Sequence, residues 1–218
     1  MKLTDILASV WKRVMLRGTA FGGAYGKIRM LYSLEDPWEM SSEREQYRFE
    51  QTMEHLREIA PGAGTVLEFG CGEGHQSVHL RQHCGAVFGV DISETAIERA
   101  RKRCPDATFA VAGLEQAGEV FDGQEFDLIT ACEVLYYAVD IETILKKIQS
   151  SADRVYVSNY LPRSEMMRDH FAGEGWRQLG NIQFADTVWE CFLWEAPSVR
   201  QPDIAKSGGS DPSRGLPS

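Results

Sequence analysis

No apolar run in the 218-residue chain approaches the roughly 20 residues that a membrane-spanning helix requires. Nor does the amino terminus show a compact apolar segment followed by a small-residue cleavage site. The sequence therefore reads as neither secreted nor integral to a membrane. Cysteine is sparse and unpaired. Cys71, Cys84, Cys104, Cys132 and Cys191 are odd in number, widely spread and without a C-x-x-C pair, so neither a disulfide framework nor a zinc knuckle is suggested. A reducing cytoplasm is the natural setting. Net positive charge is also missing: at −9 the chain lacks the basic surface that nonspecific nucleic-acid binding needs. The imbalance is uneven. Residues 1–31 carry Lys2, Lys12, Arg13, Arg17, Lys27 and Arg29 against Asp5 alone, a local +5 that leaves the remainder near −14.

What is present, 43% hydrophobic content over this length, suffices for one α/β domain with a large core and some added elements. Leu3, Ile6, Leu7, Val10, Trp11, Val14 and Met15 fall at helical spacing, with Lys12 and Arg13 off the stripe. Residues 1–17 thus form a basic amphipathic helix, suited either to an anionic membrane surface or to packing within the protein or a dimer. Glycines break residues 18–26 into a loop, and Ser42 with Glu45 makes a capping box for a helix over about 42–59. From residue 65 apolar strands and amphipathic helices alternate: strands at 65–69, 86–90, 107–111, 126–131 and 154–158, helices at about 74–83, 94–103, 140–150 and 163–172. This predicts a parallel sheet with helices on both faces. Trp176–Phe184 and Thr187–Ala196 read as an antiparallel hairpin at the sheet edge. The boundaries expected are an amphipathic helix and lid segment over 1–60, a core over 61–196, and a Pro-, Gly- and Ser-rich disordered tail over 197–218.

The strand Thr65-Val66-Leu67 runs straight into Glu68-Phe69-Gly70-Cys71-Gly72-Glu73-Gly74. Alternate glycines let a strand turn sharply into a helix and let the backbone lie against a ligand. A pyrophosphate would be repelled by Glu68, and the third small residue of a dinucleotide fingerprint counted from Gly70 would fall at position 75, which is His. A ligand bearing an ammonium and a sulfonium suits that carboxylate better. Asp91 ends the next apolar run, at the distance from which a carboxylate accepts bonds from ribose hydroxyls. S-adenosylmethionine is thus the cofactor that these residues predict, held by Glu68, Gly70, Cys71, Gly72, Gly74, Asp91 and Ile92.

The E-x-G-x-G-x-G run with its following acid resembles motif I and its successor in class I methyltransferases. That resemblance implies an α/β, Rossmann-like fold: a seven-stranded, mostly parallel sheet with an antiparallel C-terminal hairpin and an N-terminal helical lid. In that family an acid at the third strand end usually holds adenine; here the position is Gly113, so the backbone around Gly113 and Leu114, or the side chain of Glu115, would have to serve. Glu133-Val134-Leu135-Tyr136-Tyr137 and Asp36-Pro37-Trp38 resemble segments of the rhizobial nodulation N-methyltransferases (nodulation protein S). That likeness spans about residues 32–195, and it implies an amine acceptor on an amino sugar.

Methyl transfer mainly requires positioning, but an amine acceptor must lose a proton before attack. Glu133, at the carboxyl end of the fourth strand, either accepts that proton and contacts the cofactor or caps the following turn. Tyr136 and Tyr137 either wall the pocket or pack on the sheet. His170 is a further candidate base, with an exposed late-helix residue as its alternative. Tyr32, Trp38, Tyr47 and Phe49 either stack on a ligand or pack on the sheet. His75, His79 and His83 recur every four residues but lack a partner carboxylate or thiolate at a defined position, so no metal is expected. The acceptor is a small molecule or saccharide. An oxygen acceptor fits the same motifs, and a non-catalytic partner docking through the basic helix is the alternative of another class.

Overall fold

The computed structural model describes residues 23–116, 119–121 and 123–200, together with positions 11, 14, 15, 17, 19 and 20. The basic helix expected at the amino terminus falls almost wholly outside the described residues. So does the expected tail, apart from one helical turn at Pro197–Arg200. Among the described residues no helix is long and apolar enough to cross a membrane.

The chain enters through α1 (Tyr25–Leu31), which begins inside the segment predicted as a glycine loop, and α2 (Glu43–Ile59). Ser42 caps α2 by accepting from the Glu45 amide at 3.5 Å, in the register that the capping box predicts. The core then alternates β1 (Thr65–Phe69), α3 (His75–His83), β2 (Ala86–Asp91), α4 (Glu94–Arg103), β3 (Thr108–Val111), β4 (Phe126–Cys132), α5 (Ile141–Ser150) and β5 (Ala152–Tyr160). Polar side chains start two of these helices: Ser93 accepts from the Ala96 amide and Asp140 from the Thr143 amide.

The sheet order is β3-β2-β1-β4-β5-β8-β6, where β6 is Trp176–Gln178 and β8 is Thr187–Glu195. Strands β1 to β5 pair in parallel and β8 pairs antiparallel with β5. Side chains alternate across each strand. Val66, Leu128 and Tyr156 therefore meet Met53 and Leu56 of α2 and Leu80 of α3 on one face. Leu67, Ile129, Val155 and Val157 meet Ile144, Leu145 and Ile148 of α5 on the other. Because the chain runs outward from β1 through β2 to β3 and then returns to β4, the crossover direction reverses between β1 and β4. Open α/β sheets bind ligands in the crevice at the carboxyl ends of such neighbours.

Two sequence-based expectations are corrected. The strand predicted over Trp176–Phe184 is broken at residues 179–181 into β6 and β7 (Ile182–Phe184), both paired with β8, which makes eight strands rather than seven. The break falls at Gly180-Asn181, a turn-favouring pair inside the predicted strand. The helix predicted over about 163–172 is two short pieces, α6 (Leu161–Ser164) and a 3₁₀ turn at Arg168–Phe171. Phe171 stacks on Phe192 of β8 at 4.6 Å, and Met167 is buried in the same cluster. Laying those two side chains on the sheet overrides the propensity for one continuous helix.

Candidate active site at the carboxyl ends of β1 and β4

The turn leaving β1 is built by backbone that favours glycine. Gly70, Gly72 and Gly74 all have positive φ, at 68°, 52° and 78°. A β-carbon on Gly70 would overlap Val134, and one on Gly74 would press on Ala100 of α4. Gly74 therefore packs helix on helix, whereas Gly70 and Gly72 line a cavity of about 310 Å³. Glu68, Cys71, Asp91, Ile92, Leu114 and Glu133 also border it. Gly113 and Glu115 do not, so of the three positions considered after β3 only Leu114 reaches the cavity among the described residues. The Cys71 side chain turns into a small core with Ile97, Ala100 and Phe109, which leaves its backbone to face the cavity.

Each buried carboxyl has defined partners. Asp91 accepts from the Ser93 amide at 2.9 Å, the Gly72 amide at 3.1 Å and the Tyr32 hydroxyl at 3.4 Å. Burial nevertheless pushes its pKa up to about 6. Glu68 accepts from the Ser77 hydroxyl at 2.5 Å, and burial raises it to about 7. Glu133 has φ +57°, a left-handed conformation that costs a side-chain-bearing residue about 1 kcal/mol. One of its oxygens accepts from the Tyr160 amide and the other from the Tyr136 hydroxyl at 3.1 Å. Burial raises Glu133 too to about 7.

Aromatic side chains also wall the cavity. Trp38 lies 6.3 Å from Tyr32 and 6.1 Å from Tyr137, whose ring is 4.6 Å from that of Tyr136. All four line the cavity, as does Phe49; Tyr47 instead packs on Phe184 at 5.5 Å, away from it. The Asp36-Pro37-Trp38 segment is fixed in place because the Asp36 amide donates to both Glu73 carboxylate oxygens at 3.2 Å. Arg99 holds Glu73 from the other side at 2.5 Å.

Sequence reasoning missed the polar floor. Arg48 of α2 is 2% exposed, yet it lines the cavity with its Nη1 unpartnered; the Oε1 of Gln76, in the first turn of α3, is likewise buried without a partner. A signal existed. Glu45, Arg48, Thr52 and Leu56 recur at helical spacing on the stripe that carries Phe49 and Met53, which puts a guanidinium on the buried face of an amphipathic helix.

Glycines without β-carbons, an acid at each of two strand ends and unpartnered polar atoms on the floor fit a ligand with a ribose at one end and charged groups at the other. A methyltransferase domain model matches residues 66–153. Nodulation protein S of Sinorhizobium fredii is 28% identical over 165 residues, covering 75% of this chain and 74% of that one. The chain carries an S-adenosylmethionine-dependent methyltransferase domain. The methyltransferase also resembles the ubiquinone biosynthesis O-methyltransferase of Coxiella burnetii, 35% identical over 83 residues that make up 37% of this chain and 36% of that one. Its fold is shared with the crystal structure of the N-methyltransferase NodS from Bradyrhizobium japonicum WM9 in complex with S-adenosyl-L-homocysteine. That match has a TM-score of 0.67 at 20% identity and covers 79% of this chain and 98% of that one.

Other sequence-predicted residues are placed elsewhere. His170 is exposed on the 3₁₀ turn and does not line the methyltransferase cavity, because the segment that carries it bends to seat Phe171 on β8. It is set aside as a base. Glu115 accepts from the Tyr25 hydroxyl at 2.6 Å, so its carboxylate ties α1 to the loop after β3. The three histidines of α3 do not converge: His75 faces Asp36 and Glu73, His79 packs on Phe49, and His83 meets Arg57. Among the described residues Asp36, Glu73 and His75 form a group spaced closely enough for a cation. Arg99 and Arg103 already neutralise Glu73, and the Asp36 carboxylate accepts from the Met40 and Ser41 amides.

Proposed function

We propose that the enzyme transfers a methyl group from S-adenosylmethionine to the free amine of a small polar acceptor, an amino sugar or a related metabolite. The observation that carries this reading is Glu133. A carboxyl whose pKa is raised to about 7, held in strained left-handed backbone, borders the same cavity as Glu68 and Asp91. Strain retained at a ligand site, and a pKa moved toward the working pH, are both marks of a functional residue.

In this reading Asp91 accepts from the ribose hydroxyls, the glycine turn lies along the ligand, and Ile92 and Leu114 bracket the adenine. The bound cofactor supplies a methyl group on a positively charged sulfur, an electrophile that needs only an in-line nucleophile. An amine arrives largely as its ammonium form, which cannot attack. Glu133 takes one proton from it, which frees the nitrogen lone pair to attack the methyl group that the bound cofactor would supply, with the neutral thioether as leaving group. The proton stays on Glu133 until it escapes to solvent. Tyr136 and the Tyr160 amide hold the carboxylate in position, and Trp38 and Tyr137 present aromatic faces to the cation. Glu68, Asp91 and Glu133 border the cavity and none of them is in a salt bridge among the described residues, which favours a cationic ligand and acceptor. The likeness to nodulation protein S supports the same class.

The test is the methyltransferase incubated with S-adenosylmethionine and paired acceptors, each amino sugar or deacetylated oligosaccharide beside its N-acetylated counterpart, with S-adenosylhomocysteine as the readout. Turnover confined to the free amines is expected. Equal turnover on both members of each pair, or turnover on hydroxylated metabolites alone, would show oxygen to be the acceptor and overturn the role of Glu133 as an amine base.

A further inference from the structure

We infer that Arg48 and Gln76 together read the amino-acid end of the cofactor, the guanidinium pairing with its carboxylate and the Gln76 carbonyl accepting from its ammonium. This rests on the reading of the cavity as the cofactor site and adds residues that motif I does not contain.

Buried polar atoms without partners are uncommon, and each calls for an explanation. Arg48 is always charged and is 2% exposed. Its Nε donates to Glu45 at 2.7 Å and its Nη2 reaches the Met40 sulfur at 3.9 Å, but Nη1 has no partner. Gln76, 5% exposed, has its Oε1 free as well. One orphan is a cationic donor and the other an acceptor, and both border one cavity. The ligand that satisfies both at once carries an anion and a donating cation close together, and an α-amino acid group does so. Strand alternation sets the location. Glu68, on the face of β1 that meets α2 and α3, interacts with both Arg48 and Gln76. That places the pair at the glycine turn.

Glu45 would not be stranded by loss of Arg48, because Arg44 also donates to it at 3.0 Å. The substitution Arg48→Met is therefore informative. By calorimetry on the full-length protein we would titrate S-adenosylmethionine, its decarboxylated form, which keeps the amine, and methylthioadenosine, which lacks the whole amino-acid end. The wild type is expected to bind S-adenosylmethionine about thirtyfold more tightly than the decarboxylated form, as for loss of one partner of a buried charge pair. Arg48→Met should abolish that preference and leave methylthioadenosine binding unchanged; Arg48→Lys should keep part of it. Gln76→Leu should weaken both amine-bearing ligands and spare methylthioadenosine. Equal wild-type affinity for the carboxylated and decarboxylated forms would refute the Arg48 role while leaving the cavity assignment intact. Loss of methylthioadenosine binding in Arg48→Met, with Arg48→Lys unable to restore the preference, would show Arg48 to be structural. A wild type that binds none of the three ligands would overturn the cavity assignment itself, and this inference with it.

Discussion

Replacing Glu133 by Gln separates catalysis from stability, because the two should move in opposite directions. Gln keeps the shape, and its oxygen still accepts from the Tyr160 amide; its amino group faces Tyr136, whose hydroxyl can turn to accept. It cannot take a proton from an ammonium. Turnover should fall by roughly 10²- to 10⁴-fold, the usual worth of a general base, with affinity for S-adenosylhomocysteine near wild type. Stability should rise. The Glu133 carboxyl ionises near 4.5 when the chain is unfolded and near 7 when folded. Between those values the folded state holds the extra proton, so ionisation works against folding as pH rises through the window. Above pH 7 the full cost is borne, about 3 kcal/mol for that difference. Glu133→Gln removes it, so thermal melting followed by circular dichroism should show the variant roughly 10 °C more stable than wild type at pH 8 and equal to it near pH 4. A variant that turns over within threefold of wild type would dismiss Glu133 as the base. A stability difference independent of pH would dismiss the raised pKa on which the argument depends.

Asp91→Ala should weaken cofactor binding roughly tenfold to a hundredfold, as expected for lost hydrogen bonds to a charged group; calorimetry showing unchanged affinity would contradict the ribose role. For the wild type, the same titration should show affinity declining as pH falls through about 6, where Asp91 takes up its proton. Gly70→Ala combines left-handed backbone with overlap onto Val134, and should cost about 3 kcal/mol of stability together with cofactor binding. Denaturant unfolding at the wild-type midpoint would count against the close approach of those two residues.

Much of this molecule was legible in its sequence where the signal is local. A strand feeding a glycine turn, a helix capped in register and an acid ending the next strand are set by neighbours a few residues apart. Ser42 with Glu45, the run from Glu68 to Gly74, and Asp91 therefore lie where spacing alone put them. The alternation of strands and helices likewise implied the parallel sheet, since each amphipathic face needs a partner layer. Tertiary structure decided the rest. Whether the peptide after β3 faces the cavity depends on strand register: Leu114 does and Gly113 does not, while Tyr25 engages Glu115. His170 read as either a candidate base or an exposed late-helix residue, and packing of Phe171 on β8 leaves it at the surface. Arg48 lies on the buried stripe of α2, but only the packing of that helix on the sheet brings its guanidinium to the cavity. The raised pKa values of Glu68 and Glu133 likewise come from burial among residues distant in the chain, and desolvation is a property of the packed interior that no local pattern records.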